Sequence, residues 1–256
     1  MNLPLRRTGL NRQTPFSFSC LQCLCCCRHK KIQVNPYEIA RLAANRCIAT
    51  DEFIERYTRN NGTVLAWEKN GACVFLDALG CGVYTDRPLV CRLYPLGRHI
   101  LTSGEESFSE IEPDRKCKGV YGDDGMIMDY LDFQEARPFM EAADRYLALL
   151  ERLCRILEEE TAEPEAHAAV AGLFQKLAAG ECYADIGFAD VDAIVDAFCE
   201  KLCMPVPTRI EDKMSIHIQA VEAWADSIRR TANHEAKKTK RAAGKGSGKK
   251  GHPAGD

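Results

Sequence analysis

The stretch CLQCLCCC, residues 20–27, places five cysteines within eight positions. Cys20, Cys23 and Cys26 follow the spacing C-x₂-C-x₂-C, which lets one loop arrange three thiolates around a compact inorganic centre, as in the ferredoxin-type run. Cysteine thiolates are the ligands that soft and borderline metals prefer, and here several lie close together in the sequence. The stretch therefore predicts a metal centre, and the small fold around it is expected to depend on that centre.

Two features keep this loop from being a complete site. Cys27 directly follows Cys26, and adjacent side chains point in different directions in most backbone conformations, so we expect the two sulfurs to play different roles. Cys25 breaks the spacing and is the first candidate for a cysteine that is not a ligand. Residues 28–31 read RHKK, so the loop lacks the further cysteine and proline that end the ferredoxin-type run.

The missing sulfurs are available further along the chain. Cys73, Cys81 and Cys91 lie beside glycines and prolines in ACVFLDALGCGVYTDRPLVCRLYPLG, residues 72–97, and Cys117 begins CKG. Glycines on both sides of Cys81 allow the backbone to bend tightly and to turn amides toward a thiolate.

The compartment decides how so many cysteines are interpreted. No run approaches the roughly 18 apolar residues of a membrane span, and the start MNLPLRRTGLNRQTPF lacks the apolar stretch of a signal peptide. The sequence therefore predicts a soluble, cytoplasmic protein with no membrane contact. Thiols stay reduced there, so the fourteen cysteines indicate a metal site rather than a disulfide framework. Palmitoylation of the first cluster is an alternative, but it would leave the later cysteines unexplained.

Composition divides the 256 residues into a cysteine-rich part and a part with helical periodicity. The predicted fold class is mainly α: a small irregular cysteine-rich metal-binding domain with short helices and a hairpin, followed by a helical bundle. The net charge is −3, but the end of the chain is basic, lacks aromatic residues and is predicted to be disordered, so nucleic-acid binding is not expected. The predicted segments are a flexible N-terminus (1–15), the metal-binding domain (16–125), a helical domain (126–235) and a disordered basic tail (236–256).

Local signals place two helices in the first part. Asn35 is a predicted N-cap, followed by Pro36 at the first helical position and by Glu38, which can reach back to complete a capping box. A second short helix is expected to begin at Thr50, with acidic residues in its first turn.

A hairpin is predicted in VLAWEKNGACVFL. Asn70 and Gly71 supply the two positive-φ positions of a type I′ turn between apolar runs, which would deliver Cys73 at the start of a strand.

Apolar residues recur at three- and four-residue steps in the second part. The pattern predicts helices over 139–157 and 170–177, a helix capped by Asp190, and a last helix with a capping box from Thr208 and Glu211. Of the histidines here, His167, His217 and His234 are expected on helix surfaces. Of the cysteines, Cys154, Cys199 and Cys203 are expected to serve core packing, whereas Cys182 has no assignment.

At this point the sequence resembles a family, the CxxCxxCC proteins, described as zinc- or iron-chelating domains of the YkgJ type. The resemblance covers roughly residues 16–122 and rests on FSCLQCLCCC, on CVFL followed by CGVYTDRPLVCRLYP, and on CKG. It implies metal binding by eight cysteines, and flagellin lysine N-methylases carry a similar pattern. The implied ligands are Cys20, Cys23, Cys26, Cys27, Cys73, Cys81, Cys91 and Cys117.

The chemistry leaves the metal open between a [4Fe–4S] iron–sulfur cluster and zinc. One structural zinc needs four ligands, so eight cysteines allow two zinc ions, a cluster with spare thiols, or a cluster and another metal. The three-cysteine spacing favours the cluster.

Other side chains are candidates for the surroundings of the centre. Arg87, Arg92 and Tyr94 flank Cys91 and could donate to metal-bound sulfur, although Arg92 could instead lie on the solvated face of a short helix. His29 and His99 are expected not to be ligands, because sulfur is already abundant.

Three functional classes follow. The chain is expected to be a cysteine-ligated metal-binding protein with a structural, metal-handling or redox role. The alternatives are a protein-modifying enzyme related to the flagellin methylases, and a metal or redox sensor that acts through a protein partner on the helical domain. The sequence contains no strand followed by a glycine-rich turn of the usual cofactor-binding kind, and this argues against the enzyme.

Overall fold

The structure is a computed structural model, and it describes residues 4–60, 62–101, 103–159 and 187–227. Helices and strands both contribute to these ranges, so the fold is mixed α/β and the prediction of a mainly α fold is wrong. Several strands are only two residues long, and the longer ones are rich in charged residues and glycine. Such strands lack the extended alternation of apolar and polar residues that indicates a sheet in a sequence.

The elements are as follows in chain order. The strands are β1 (Leu5–Leu10), β2 (Pro15–Ser19), β3 (Thr58–Arg59), β4 (Val64–Leu65), β5 (Leu76–Asp77), β6 (Gly80–Cys81), β7 (Leu96–Ile100), β8 (Glu106–Ile111) and β9 (Val120–Met126). The helices are α1 (Pro36–Arg46), α2 (Thr50–Tyr57), α3 (Leu89–Leu93), α4 (Ile127–Phe133), α5 (Arg137–Glu159) and α6 (Val191–Leu202), and residues 210–227 form a further helix. None of the helices in the described ranges is long and apolar enough to cross a membrane.

The beginning of the chain is part of a sheet. Strand β1 pairs antiparallel with β8, which pairs with β7, in the order β1-β8-β7. Arg7 donates to the buried carboxylate of Glu110 across this sheet. The segment from residue 5 to residue 10, expected to be flexible, is therefore held by strand pairing that sequence periodicity did not reveal.

The second antiparallel pair joins the cysteine-rich part to the helices. Strand β2 pairs with β9, and the buried rings of Phe16 and Phe18 pack edge-to-face with Tyr121, with Phe16 also contacting Tyr130 on α4. The same core cluster includes Ile127 and residues of α5. The hydrophobic core thus crosses residue 125, where the sequence suggested a domain boundary.

Helices α1 and α2 begin where the sequence predicts. The side chain of Asn35 accepts from the backbone N–H of Glu38 at 3.0 Å, and the Glu38 carboxylate accepts from the N–H of Asn35 at 2.9 Å, so the capping box is confirmed. Helix α2 begins at Thr50.

The hairpin is confirmed, but its turn is of another kind. The N–H of Gly71 donates to the carbonyl of Glu68 at 2.8 Å, and the N–H of Glu68 donates to Ala72 at 2.8 Å. Gly71 has φ of +78°, whereas Asn70 is not in the left-handed region. The loop therefore has three residues, 69–71, with glycine at its left-handed position. The predicted two-residue type I′ turn is wrong, because the loop is one residue longer.

Helix α5 and the helix at 210–227 pack around one aromatic cluster. Tyr37 of α1, Phe139 and Tyr146 of α5, and Val221 of helix 210–227 are buried together. Asp190 caps α6 through the N–H of Ala193, as predicted. Several predicted features lie outside the described residues: the helix over 170–177, the side chain of Cys154, Cys182, His167, His234 and the basic tail.

His217 is fully buried, so its predicted position on a helix surface is wrong. Its Nδ1 lies 3.1 Å from the Tyr146 hydroxyl, and its Nε2 lies 3.0 Å from the carbonyl of Phe188. Because the carbonyl only accepts, Nε2 carries the proton of a neutral ring and Nδ1 accepts from Tyr146. Burial lowers the pKa of His217 to about 4.

Because His217 is buried as a neutral ring, we predict that the free energy of unfolding decreases in mild acid. The folded state holds the neutral ring, so its contribution is complete above the unfolded pKa of 6.5 and is lost as the pH falls from 6.5 to about 4. The loss amounts to about 3 kcal/mol, from about 1.4 kcal/mol per pKa unit. We expect urea unfolding at several pH values to show this loss in the wild type and a smaller one in His217→Gln. The cysteines are the same in both proteins, so identical pH dependence would contradict this role.

Candidate metal centre

The first cysteine loop is shaped by a short 3₁₀ turn. This turn covers Cys25–Cys27, and Leu24 before it is in the left-handed region with φ of +61°. The N–H of Cys27 donates to the carbonyl of Leu24 at 3.1 Å, and the N–H of Arg28 donates to that of Cys25 at 3.3 Å. The turn places three consecutive cysteines on a compact stretch of backbone.

Backbone hydrogen bonds hold this loop against the hairpin. The N–H of Cys73 donates to the carbonyl of Cys27 at 2.8 Å, and the N–H of His29 donates to that of Gly71 at 2.7 Å. A Cβ at Gly71 would overlap the His29 ring. The glycine of the turn is thus required both for its positive φ and for this close approach.

Two further turns carry Cys81 and Cys91 to the same region. Cys81 ends the two-residue hairpin of β5 and β6, where Gly80 has φ of +124° and lies near the Leu24 side chain. Cys91 lies in the one-turn helix α3, whose first N–H, at Leu89, donates to the buried Glu38 carboxylate at 2.7 Å. Glu38 therefore links the start of α1 to the helix that carries Cys91.

Cys117 is positioned by a turn and by an aromatic ring. Its N–H donates to the carbonyl of Asp114 at 2.7 Å, and its sulfur accepts from the N–H of Gly119 at 3.4 Å. A Cβ at Gly119 would overlap the ring of Phe18, which is 7% exposed and has little room to move.

The sulfurs meet as pairs. Cys23 Sγ lies 3.8 Å from Cys117 Sγ, and Cys26 Sγ lies 3.9 Å from Cys27 Sγ. Within the ranges that the structure describes, no three His, Cys, Asp or Glu side chains form a group already arranged to hold a metal ion. The first pair joins two segments far apart in sequence, and the second lies within the 3₁₀ turn.

Backbone amides are directed at several of these sulfurs in one recurrent pattern. The N–H two positions later is directed at the sulfur of Cys23 and lowers the pKa of that thiol. At Cys73, Cys81 and Cys117 burial raises the pKa, and the N–H two positions later opposes this rise in part. Such a bond stabilises the thiolate over the thiol, because the anion is the better acceptor. The pattern prepares these four sulfurs for a negative charge.

Crowding opposes that charge. Burial raises the pKa of Cys73, Cys81 and Cys91, and the nearby sulfur of Cys26 raises each of them further. The hydrogen bond between the adjacent pair raises the pKa of Cys27 and lowers that of Cys26 to about 7. All of these thiols can ionise together only when a cation lies between them.

Comparisons with known proteins identify the cysteine pattern. Residues 19–118 match the model of the CxxCxxCC family, whose description is "Putative zinc- or iron-chelating domain". An uncharacterized protein of Methanocaldococcus jannaschii is 31% identical over 149 residues, which cover 51% of this chain and 81% of that relative. The chain belongs to the CxxCxxCC family. No solved structure matches it.

Two cysteines differ from what the CxxCxxCC pattern implies. Cys20 is exposed, and among the described residues no sulfur lies within contact of it. Cys25, which the spacing sets apart, lies close to Cys23: its sulfur is 3.7 Å from the Cys23 carbonyl, and Cys23 contributes to its raised pKa after burial. The assignment of all eight cysteines as ligands stays a prediction.

The roles of Arg87 and Tyr94 beside the centre stay predictions. Arg87 donates to the carbonyl of Tyr84 and to the side chain of Gln134. The charge of Arg87 lowers the pKa of Cys81, after burial has raised it. Burial raises the pKa of Tyr94, and the adjacent Cys117 raises it further.

Arg92 serves the scaffold instead. It is 2% exposed and donates to the carbonyls of Arg87, Gln134 and Thr85, so the alternative of a solvated face is wrong. Burial lowers the pKa of its guanidinium to about 10.

Two cations near the sulfurs were missed by sequence reasoning. Burial raises the pKa of Cys81, and Arg46 in the last turn of α1 opposes this rise slightly. The hydrogen bond with Cys27 lowers the pKa of Cys26, and Lys30 adds a small further decrease. Lys30 lies in the basic RHKK stretch directly after Cys27, and this proximity in sequence could have indicated a cation near the sulfurs. Arg46 is 35 positions before Cys81 in the sequence, and a basic residue at a helix C-terminus is ordinary, so nothing local indicated its role.

The remaining candidates lie outside the sulfur pairs where the structure describes them. His29 packs on Gly71, and His99 Nε2 lies 2.8 Å from Ser109 Oγ on the β1-β8-β7 sheet. Cys199 is fully buried in an apolar cluster, which confirms its packing role. Cys203 is exposed at the C-cap of α6, so its predicted packing role is wrong.

The contact between Gly119 and Phe18 predicts a specific cost. We expect Gly119→Ala to lower the free energy of unfolding by about 1–3 kcal/mol, because the new methyl group must displace a packed ring. Urea unfolding measures the change. Gly122→Ala is the matched control, since its Cβ would meet only the Ser17 hydroxyl at 2.7 Å, which can rotate away. Equal effects of the two substitutions would contradict this account.

Proposed function

We propose that this CxxCxxCC protein binds a thiophilic divalent ion, zinc or ferrous iron, through paired cysteine thiolates. The observation that carries the proposal is the pair of Sγ–Sγ separations, 3.8 Å for Cys23 and Cys117 and 3.9 Å for Cys26 and Cys27. Two sulfurs bound to one tetrahedral ion at about 2.3 Å lie about 3.8 Å apart.

The pairing supports a single ion over an iron–sulfur cluster. In a [4Fe–4S] cluster each iron takes one cysteine, so the ligands stand farther apart than two ligands of one ion. Structural zinc sites are instead built from separated pairs. The C-x₂-C-x₂-C spacing of the first loop, which favours a cluster, is interrupted here by a 3₁₀ turn that brings Cys26 against Cys27.

Metal binding would also complete the fold of this region. The sulfurs lie on a loop, two hairpins, a one-turn helix and a turn, and such short elements bury little apolar surface of their own. The free energy of closing the sulfurs around an ion then becomes folding free energy. This role is structural or metal-handling, and it requires a reducing compartment such as the cytoplasm.

The two alternative functions, a modifying enzyme and a sensor, remain hypotheses that rest on the sequence alone. A modifying enzyme, a sensor and a protein partner on the helices each need an observation beyond the cysteines themselves. The proposal is therefore limited to metal binding and its coupling to the fold.

Cysteine variants test the proposal. We expect Cys23→Ser, Cys117→Ser, Cys26→Ser and Cys27→Ser each to lower the metal bound per chain to about half or less, because serine is a poor ligand for zinc-class metals. Protein purified without oxygen is analysed for zinc, iron and acid-labile sulfide. Cys199→Ala is the control, since this buried cysteine lies in an apolar cluster, and it should keep the wild-type content.

Two outcomes would contradict the proposal. Equal metal content in all of these variants would show that the four substituted cysteines are not the ligands. Iron accompanied by a matching amount of sulfide would replace the single ion by a cluster.

A further inference from the structure

Arg46 has a buried polar atom that nothing in the described structure satisfies. Across residues 4–60, 62–101, 103–159 and 187–227, its Nε is buried without a hydrogen-bond partner. Buried donors are almost always paired, and an exception points to a group that is absent from the coordinates. An unpaired guanidinium donor is costly to bury, so this arrangement needs a compensating negative charge nearby.

The guanidinium of Arg46 lies against the Phe75 ring and Gly82, the residue after Cys81. Its central carbon lies 5.1 Å from the centre of the Phe75 ring, and its Nη2 is 3.0 Å from where a Cβ of Gly82 would stand. Only glycine at the position after Cys81 leaves room for this approach. Gly82 directly follows Cys81, so the guanidinium lies next to the turn that carries this sulfur.

No carboxylate in the described part of the chain forms an ion pair with Arg46. The neighbouring arginine of α1, Arg41, pairs with Asp86, and Arg56 on α2 pairs with Glu52. The Asp77 carboxylate approaches the same side of Gly82, with Oδ2 3.3 Å from where a Cβ would stand, but it forms no ion pair with Arg46 in the described ranges. The Nε donor of Arg46 stays without a partner there. A divalent ion with four thiolates carries a net negative charge, and burial makes a nearby cation valuable to it.

We propose that Arg46 is a positioning residue of the metal centre, which holds the Cys81 thiolate and balances the negative charge of the metal–thiolate unit. This inference rests on the proposed function and adds the charge of the bound species: a divalent ion in a thiolate-rich, net anionic site. The alternative role is the cation–π contact of the guanidinium with Phe75, which needs the charge but no metal.

The test compares metal affinity in four full-length variants. Arg46→Gln removes the charge, Arg46→Met removes the charge but keeps an apolar stem on Phe75, and Arg46→Lys restores a cation. Arg56→Gln is the matched control, because that arginine is exposed, pairs with Glu52 and also lies over an aromatic ring, that of Tyr57. Zn²⁺ dissociation constants come from chelator competition, Co²⁺ spectra report the coordination sphere, and circular dichroism confirms folding.

We expect Arg46→Gln and Arg46→Met to weaken Zn²⁺ binding by about 10- to 100-fold, as is typical when a supporting partner of a ligand is lost. Arg46→Lys should recover most of this affinity, Arg56→Gln should match the wild type, and the Co²⁺ bands should keep their shape. If Arg46→Gln does not fold, Arg46→Met decides the matter alone.

Two results separate this inference from the function on which it rests. Wild-type affinity in folded Arg46→Met would overturn the role of Arg46 while leaving the metal centre intact. A wild-type protein that binds neither Zn²⁺ nor Co²⁺ would overturn the proposed function itself.

Discussion

The mutual repulsion of ionised sulfurs is the constraint on which the cysteine-rich region depends. Cys26 lies within electrostatic reach of Cys73, Cys81 and Cys91, and each of these thiols is harder to ionise because of it. Backbone amides work in the opposite direction by donating to the sulfurs two positions earlier in the chain. The region cannot hold all of these sulfurs as thiolates without positive charge, and under the proposed function a metal ion would supply that charge.

The rest of the fold keeps the sulfur-bearing segments in register. Strand pairing between β2 and β9 fixes the two ends of the cysteine-rich region, and Phe18 in β2 presses on Gly119 just after Cys117. Glu38 bridges α1 and α3, so the position of Cys91 follows from a helix cap more than fifty residues away. Because the same core continues into α4 and α5, the centre rests on the whole described structure rather than on an isolated module.

Local signals in the sequence predicted local features well. The Asn35 capping box and the hairpin at Gly71 depend on a few neighbouring residues, and both are present. Features that depend on distant partners were not visible: β1 is a strand because β8 pairs with it, and His217 is buried because Tyr146 and Phe188 satisfy both ring nitrogens. The same limit applied to the centre. Cysteine spacing indicated a metal, but the pairing of sulfurs and the approach of Arg46 arise only from tertiary contacts.

The most direct test of a single thiolate-bound ion is X-ray absorption at the metal edge of protein purified without oxygen. The account predicts one shell of sulfur neighbours at about 2.3 Å and no metal–metal scattering. A short metal–metal distance would show a cluster, and a shell of oxygen or nitrogen would show that the cysteines are not the ligands; either result would contradict the account.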